Sequence, residues 1–134
     1  MEKFRYGKDN KNYFWITNLK SEIIAHPYIY EFSNKNLYDY QDANGKYMFR
    51  EFFDIVNQND EGFTTYKWQV FDNNEKYGEK LSYIRLYAPK GILIGTGEYL
   101  DDINLEIASI IKKDIELGFS LIVFFCVYFR ILWF

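Results

Sequence analysis

The sequence predicts an α+β domain on an antiparallel sheet, followed by a helix that runs into a transmembrane segment. Three observations carry that expectation. Short aromatic and β-branched stretches are separated by turn residues, one internal stretch switches to a helical period, and the last stretch is almost wholly apolar.

Residues 12–17, NYFWIT, read as a strand, NLKSE as a turn and IIAH as a second strand, so a hairpin is expected. Pro27 ends it, because proline cannot donate to a ladder. From Tyr28 to Asp42 no period holds, and a loop is expected. After the NGK turn at 44–46, Phe49, Phe52, Phe53 and Val56 follow i, i+3, i+4, i+7 with charged residues between them. That spacing predicts an amphipathic helix of about three turns, closed by Glu61-Gly62.

FTTYKWQVF then alternates, with Tyr66, Trp68 and Val70 on one face. FDNNEKYGE is expected as a turn-rich connection. KLSYIRLYA and KGILIGTGEYL form a further hairpin, split by Pro89 and Gly91. Gly95 and Gly97 share one face of the last strand, which suggests close approach by a ligand or by another element. DDINLEIASIIKKDIEL is helical, with Asp101 as the expected N-cap and Ile103, Ile107, Ile110 and Ile111 as an apolar stripe. Residues 117–134 carry Arg130 as their only charge and, at ~1.5 Å per residue, reach about 27 Å, close to a bilayer core. The N-terminal MEKFRYGKDNKN has no apolar region of a secretory signal.

With 16 Lys and Arg against 19 Asp and Glu, the net charge is −3, which gives no reason to expect nucleic acid. The single cysteine, Cys126, forms no internal disulfide and reads as a small packed hydrophobe. His26 is the only imidazole, and neither a Gly-x-Ser-x-Gly elbow nor a catalytic cysteine context accompanies it, so no enzyme is expected. One His and one Cys cannot supply a zinc site. IGTGEY lacks the remaining residues of the phosphate-binding motifs, and no cofactor is expected.

What remains is a set of amphipathic side chains on strands. Tyr13 and Trp15 share a face, as do Tyr66 and Trp68; Lys80 opens a strand, and Ser82 lies on its face. With His26, these suit a small anion: the rings exclude water, Lys80 supplies charge, and phenol and indole donate hydrogen bonds. The residues alone leave a second reading open, an ordinary aromatic core with Lys80 at its solvent rim and His26 merely packed.

In order, RYGKDNKNYFWITNL, IIAHPY, KNLYDYQDANGKYMFREF, GFTTYKW and KLSYIRLYAPKGILIGTGEYLDDI resemble the single-Cache extracellular sensor domains of bacterial chemoreceptors and sensor histidine kinases. The resemblance covers residues 5–103. It implies a PAS-like antiparallel sheet on a long N-terminal helix, held in the periplasm between two spans of the inner membrane. It also implies a small organic ligand, often a short-chain carboxylate, with homodimers usual. Carried over, the ligand-binding residues are Tyr13, Trp15, His26, Tyr66, Trp68, Lys80 and Tyr83, although alternation sets Tyr83 opposite Lys80.

The expected division is 1–10, a remnant of the long helix; 11–100, the sensor domain; 101–117, a connecting helix; and 118–134, the transmembrane segment. The first span, most of the long helix and the signalling parts are missing, and without the helix Phe14 and Ile16 are candidates for an uncovered sheet face. The function expected is ligand sensing in a transmembrane receptor; the alternative is a truncated, non-signalling membrane-anchored remnant or interaction protein that keeps the fold.

Overall fold

The structure, a computed structural model, describes all residues but 1–3, 8–9, 30–31, 34, 72 and 133–134, and leaves the side chains of 74 and 129–132 undescribed. Its strands are β1 (Arg5–Tyr6), β2 (Asn12–Asn18), β3 (Ile23–Ala25), β4 (Glu61–Val70), β5 (Asn73–Tyr87) and β6 (Ile92–Tyr99). Its helices are α1 (Met48–Asn59) and α2 (Leu100–Leu132). The chain divides into two units, Met1–Leu100 and Asp101–Phe134.

The first unit is an antiparallel sheet in the order β1-β2-β6-β5-β4, with β1 and β3 both on the edge of β2 away from β6. The expected hairpin forms, pairing Ile16 with Ala25 and Thr17 with Ile23. Two expectations change. Arg5 and Tyr6 of FRYGKDN, read as a helix end, pair as a strand with Tyr13 and Asn12. FDNNEKYGE is mostly strand: β5 starts at Asn73 and pairs Gly78 with Trp68 and Glu79 with Lys67. The reversal instead falls at Phe71, whose φ of 55° is left-handed, and a register shift follows Gln69. Polar residues that read as turn chemistry are accommodated because β4 pairs with Asn73 and then, past the register shift, with every residue from Tyr77 to Arg85.

α1 buries Met48, Phe49, Phe52 and Val56, the stripe that the spacing predicts. It ends at Asp60 rather than at Glu61-Gly62: Asp60 turns left-handed (φ 62°), and its N–H donates to the Val56 carbonyl at 3.0 Å. Alternation sends Tyr13, Trp15 and Thr17 of β2 inward with Thr64, Tyr66 and Trp68 of β4, and with Lys80, Ser82 and Ile84 of β5. α1 packs on that face, stacking Phe52 on Trp15 at 5.2 Å. On the opposite face Phe14 and Phe63 are exposed, as expected for Phe14, and Ile16 is half-buried.

Asp42 fastens the long loop to the sheet. Its buried carboxylate accepts the backbone N–H groups of Asn44 at 2.9 Å, Lys46 at 2.8 Å and, from β4, Lys67 at 2.8 Å. Asp42→Ala strands all three donors, and we expect it to lower the unfolding free energy by about 1.5–3 kcal/mol in urea titration. A loss below about 0.5 kcal/mol would mean that the loop is held by other contacts.

In the second unit, α2 begins at Leu100, which places Asp101 in the first turn rather than at the cap. There its charge still complements the helix dipole. Ile107, Ile110 and Ile111 are exposed, and so is Cys126, which is not the packed hydrophobe expected. Among the described residues no helix is long and apolar enough to cross a membrane. The segment read as a span, 118–134, ends in residues 129–134, outside the described side chains.

Candidate functional site

The inner face of the sheet brings six of the seven expected residues together. Tyr13, Trp15, His26, Tyr66, Trp68 and Lys80 are all buried, and aromatic contacts link most of them. His26 lies 4.9 Å from the Tyr13 ring and 6.1 Å from Trp68, while Tyr66 sits 5.3 Å from Phe52 and 6.1 Å from Trp68. Tyr83 does not join them. Strict alternation on β5 turns it to the opposite face, where it packs at 5.1 Å on Phe63 and donates to Glu61 Oε2 at 2.5 Å.

Lys80 is not at a solvent rim: its exposure is 0%. Its Nζ stands 3.7 Å over the Tyr13 ring and 5.5 Å from the Tyr99 ring, and no hydrogen-bond partner is found for it among the described residues. Ring faces attract an ammonium but do not replace its lost hydration. Burial accordingly pulls the amine down to about 7, with no opposing carboxylate.

His26 follows β3 directly. Its Nδ1 accepts the Tyr28 backbone N–H at 3.2 Å, so the neutral ring carries its proton on Nε2. Burial first, and the charge of Lys80 second, lower the imidazole to about 3. An unfolded histidine takes up a proton near 6.5, so the stability gained from a neutral His26 is complete above that pH and lost as pH falls towards about 3. We expect urea midpoints to fall steeply between about pH 6.5 and 4.5, and His26→Phe to flatten that slope. An unchanged slope in the variant would assign the acid sensitivity elsewhere.

Tyr66 exchanges a 2.9 Å hydrogen bond with Ser82 across β4 and β5. Burial raises its phenol, as it does that of Tyr13, so both stay protonated donors throughout the physiological range. The buried Trp15 indole N–H influences the Tyr66 hydroxyl without closing a full hydrogen bond. A cavity of about 10 Å³, room for about one water, lies under α1 and is lined by Trp15, Thr17, His26, Phe52, Tyr66 and Trp68 among others; Lys80 and Tyr13 do not line it.

The paired glycines serve two neighbours. A Cβ on Gly95 would fall 2.0 Å from the Trp15 ring, and one on Gly97 would fall 2.2 Å from the Leu81 carbonyl oxygen and 2.4 Å from Ser82 Oγ. Gly95 therefore makes room for the Trp15 wall, and Gly97 for the adjoining strand. The expected set omits Tyr99 and Phe52. Tyr99 follows Gly95 and Gly97 on the inner face of β6, a signal that alternation contains; its hydroxyl donates to the Gln69 carbonyl. Phe52 reads in sequence only as helix core.

The site thus pairs an ammonium-forming group, for which no counter-ion is found among the described residues, with neutral donors in an aromatic enclosure. The sequence pattern of the Cache domain matches residues 1–117. This chain belongs to the Cache family. The methyl-accepting chemotaxis protein McpP of Pseudomonas putida is 35% identical over 100 residues, 75% of this chain and 18% of McpP, so the chain spans under a fifth of that relative. A solved periplasmic sensor domain of a chemotaxis protein is 31% identical, with a TM-score of 0.66 over 73% of this chain and 68% of the other. A Cache chemosensory domain studied for carboxylic acid recognition is 28% identical, with a TM-score of 0.67 over 73% of this chain and 65% of the other. A methyl-accepting chemotaxis protein of Vibrio parahaemolyticus is 26% identical, with a TM-score of 0.65 over 76% and 66%. These relatives are chemosensory domains and chemotaxis receptors, and this chain shares their Cache fold.

Proposed function

We propose that this Cache domain is the extracytoplasmic sensor of a membrane chemoreceptor and binds a short monocarboxylate between the inner sheet face and α1. The observation that carries the reading is the buried Lys80 Nζ inside the aromatic enclosure, for which the described residues offer no hydrogen-bond partner. A carboxylate there gains one charge-assisted contact from Lys80 and neutral donors from Tyr13, Tyr66 or His26 Nε2–H. Its short apolar tail lies against Trp15 and Phe52. The related domain studied for carboxylic acid recognition supports the ligand class.

A single cation favours one carboxylate. Among the described residues no acid acts on Lys80 to pair the ammonium of an amino acid. The cavity of about 10 Å³ must widen, and open towards Lys80, to admit even acetate, so binding favours an expanded arrangement of the sheet and α1. β6 ends at Tyr99 and α2 begins at Leu100, so a shift of β6 passes along the chain into α2 and, in this reading, through 118–134 into the inner membrane. Such a receptor works as a homodimer whose partner helices move against each other.

The test is a thermal-shift series on the full chain with acetate, propionate, butyrate, succinate and alanine. A midpoint that climbs with concentration for one or more of the monocarboxylates, and not for succinate or alanine, supports the assignment. Equal shifts with all five, or none, would remove it.

A further inference from the structure

We propose that the carboxylate enters this pocket together with a proton, the anion supplying the counter-ion that the described residues do not give the Lys80 amine. The inference rests on the monocarboxylate reading and adds a second ligand, the proton, to the same site. The balance is simple: a solvent proton adds to the Lys80 nitrogen, the carboxylate oxygen accepts the resulting N–H, and no other bond changes.

Geometry leads to it. Nζ is fully buried, has ring faces on its Tyr13 and Tyr99 sides, and has no hydrogen-bond partner among the described residues. Burial alone brings the free amine down to about 7, so it gives up its proton far more readily than an exposed lysine. A carboxylate in contact favours the charged form and draws the proton in.

The other groups facing Lys80 do not share that change. On β2 and β4, Tyr13 and Tyr66 are held protonated by burial, and His26, after β3, stays neutral down to about 3. On β6 Tyr99 donates its hydroxyl proton to the Gln69 carbonyl. Arg5 of β1 lies over the Tyr28 ring at 4.3 Å. The charges of α1 engage elsewhere: Arg50 pairs with Asp39, Glu51 with Lys46, and Asp54 is exposed. The carboxylate itself is ionised throughout. The site consequently reports a product of two concentrations, ligand and proton, and weakens as its surroundings turn alkaline.

The deciding experiment is calorimetric titration of propionate into the full chain, in phosphate and in Tris, at about pH 5.5 and about pH 8.5. Proton uptake appears as a difference in observed heat between buffers of unlike ionisation enthalpy. We expect uptake close to one proton at the higher pH and close to zero at the lower. Kd should rise about tenfold per unit above pH ~7. Binding at the higher pH with equal heats in both buffers, or a Kd flat from about pH 6 to 9, would overturn the proposal while leaving the ligand class intact. No binding at either pH would overturn the ligand class and this inference together. Lys80→Arg supplies an independent check, because guanidinium cannot release its proton: propionate bound by that variant with the original pH slope would place the proton elsewhere and overturn the assignment to Lys80.

Discussion

Replacing Lys80 with methionine raises the stability of the domain at about pH 6 and abolishes propionate binding in the same variant. The two readouts move oppositely because the lysine serves the ligand rather than the fold. Its folded value of about 7 lies below the ordinary lysine value of 10.5. Below pH ~7 the buried ammonium therefore carries its full desolvation penalty. Between about 7 and 10.5 the unfolded chain binds the extra proton, so stability rises with pH across that window. Methionine fills a similar volume without the charge and removes the penalty, which the shift sets at roughly 2–5 kcal/mol after allowance for relaxation. We expect a midpoint several degrees higher at about pH 6, a difference that shrinks towards pH ~10, and affinity for propionate at least about 100-fold weaker. A variant that loses stability at pH 6 would show that Lys80 has a hidden partner and is structural.

Sequence made the strands and α1 legible because their periods are unbroken: the inward set Tyr13–Trp15 and Tyr66–Trp68, and the stripe Phe49–Phe52–Val56. It did not make Lys80's depth legible. A lysine at a strand start reads as a rim residue, and only the sheet order β2-β6-β5 brings the Tyr13 ring of β2 and the Tyr99 ring of β6 against it. The carry-over to Tyr83 fails for a local reason, since a period of two cannot place Lys80 and Tyr83 on one face without a bulge. The start of β5 was hidden by Asn73-Asn74, whose turn character gives way to ladder pairing with β4. The first strand was hidden because two residues carry no period at all.

Gly95 is the position where fold and site depend on the same missing atom. It stands opposite Trp15 in the β2–β6 register, and the indole lies where a side chain on Gly95 would be. A methyl group there would meet Trp15 carbons at 2.0, 2.2 and 2.6 Å, far inside contact distance. The indole cannot slide away freely, because Phe52 stacks on it at 5.2 Å and α1 holds Phe52 fully buried. Relief requires either a strained Trp15 rotamer or displacement of α1, and each route opens packing that the core otherwise closes. We expect Gly95→Ala to lower the unfolding free energy by about 3–5 kcal/mol, and the folded fraction to lose near-ultraviolet circular dichroism from Trp15. The double variant Gly95→Ala with Trp15→Leu separates the routes. If the clash with the indole is the cause, shortening Trp15 recovers part of the stability lost in Gly95→Ala but not ligand binding, since the apolar wall is gone. If the double variant is less stable than Gly95→Ala alone, the glycine is required by the β6 backbone itself, and the coupling between Trp15 and the sheet is not what shapes the pocket.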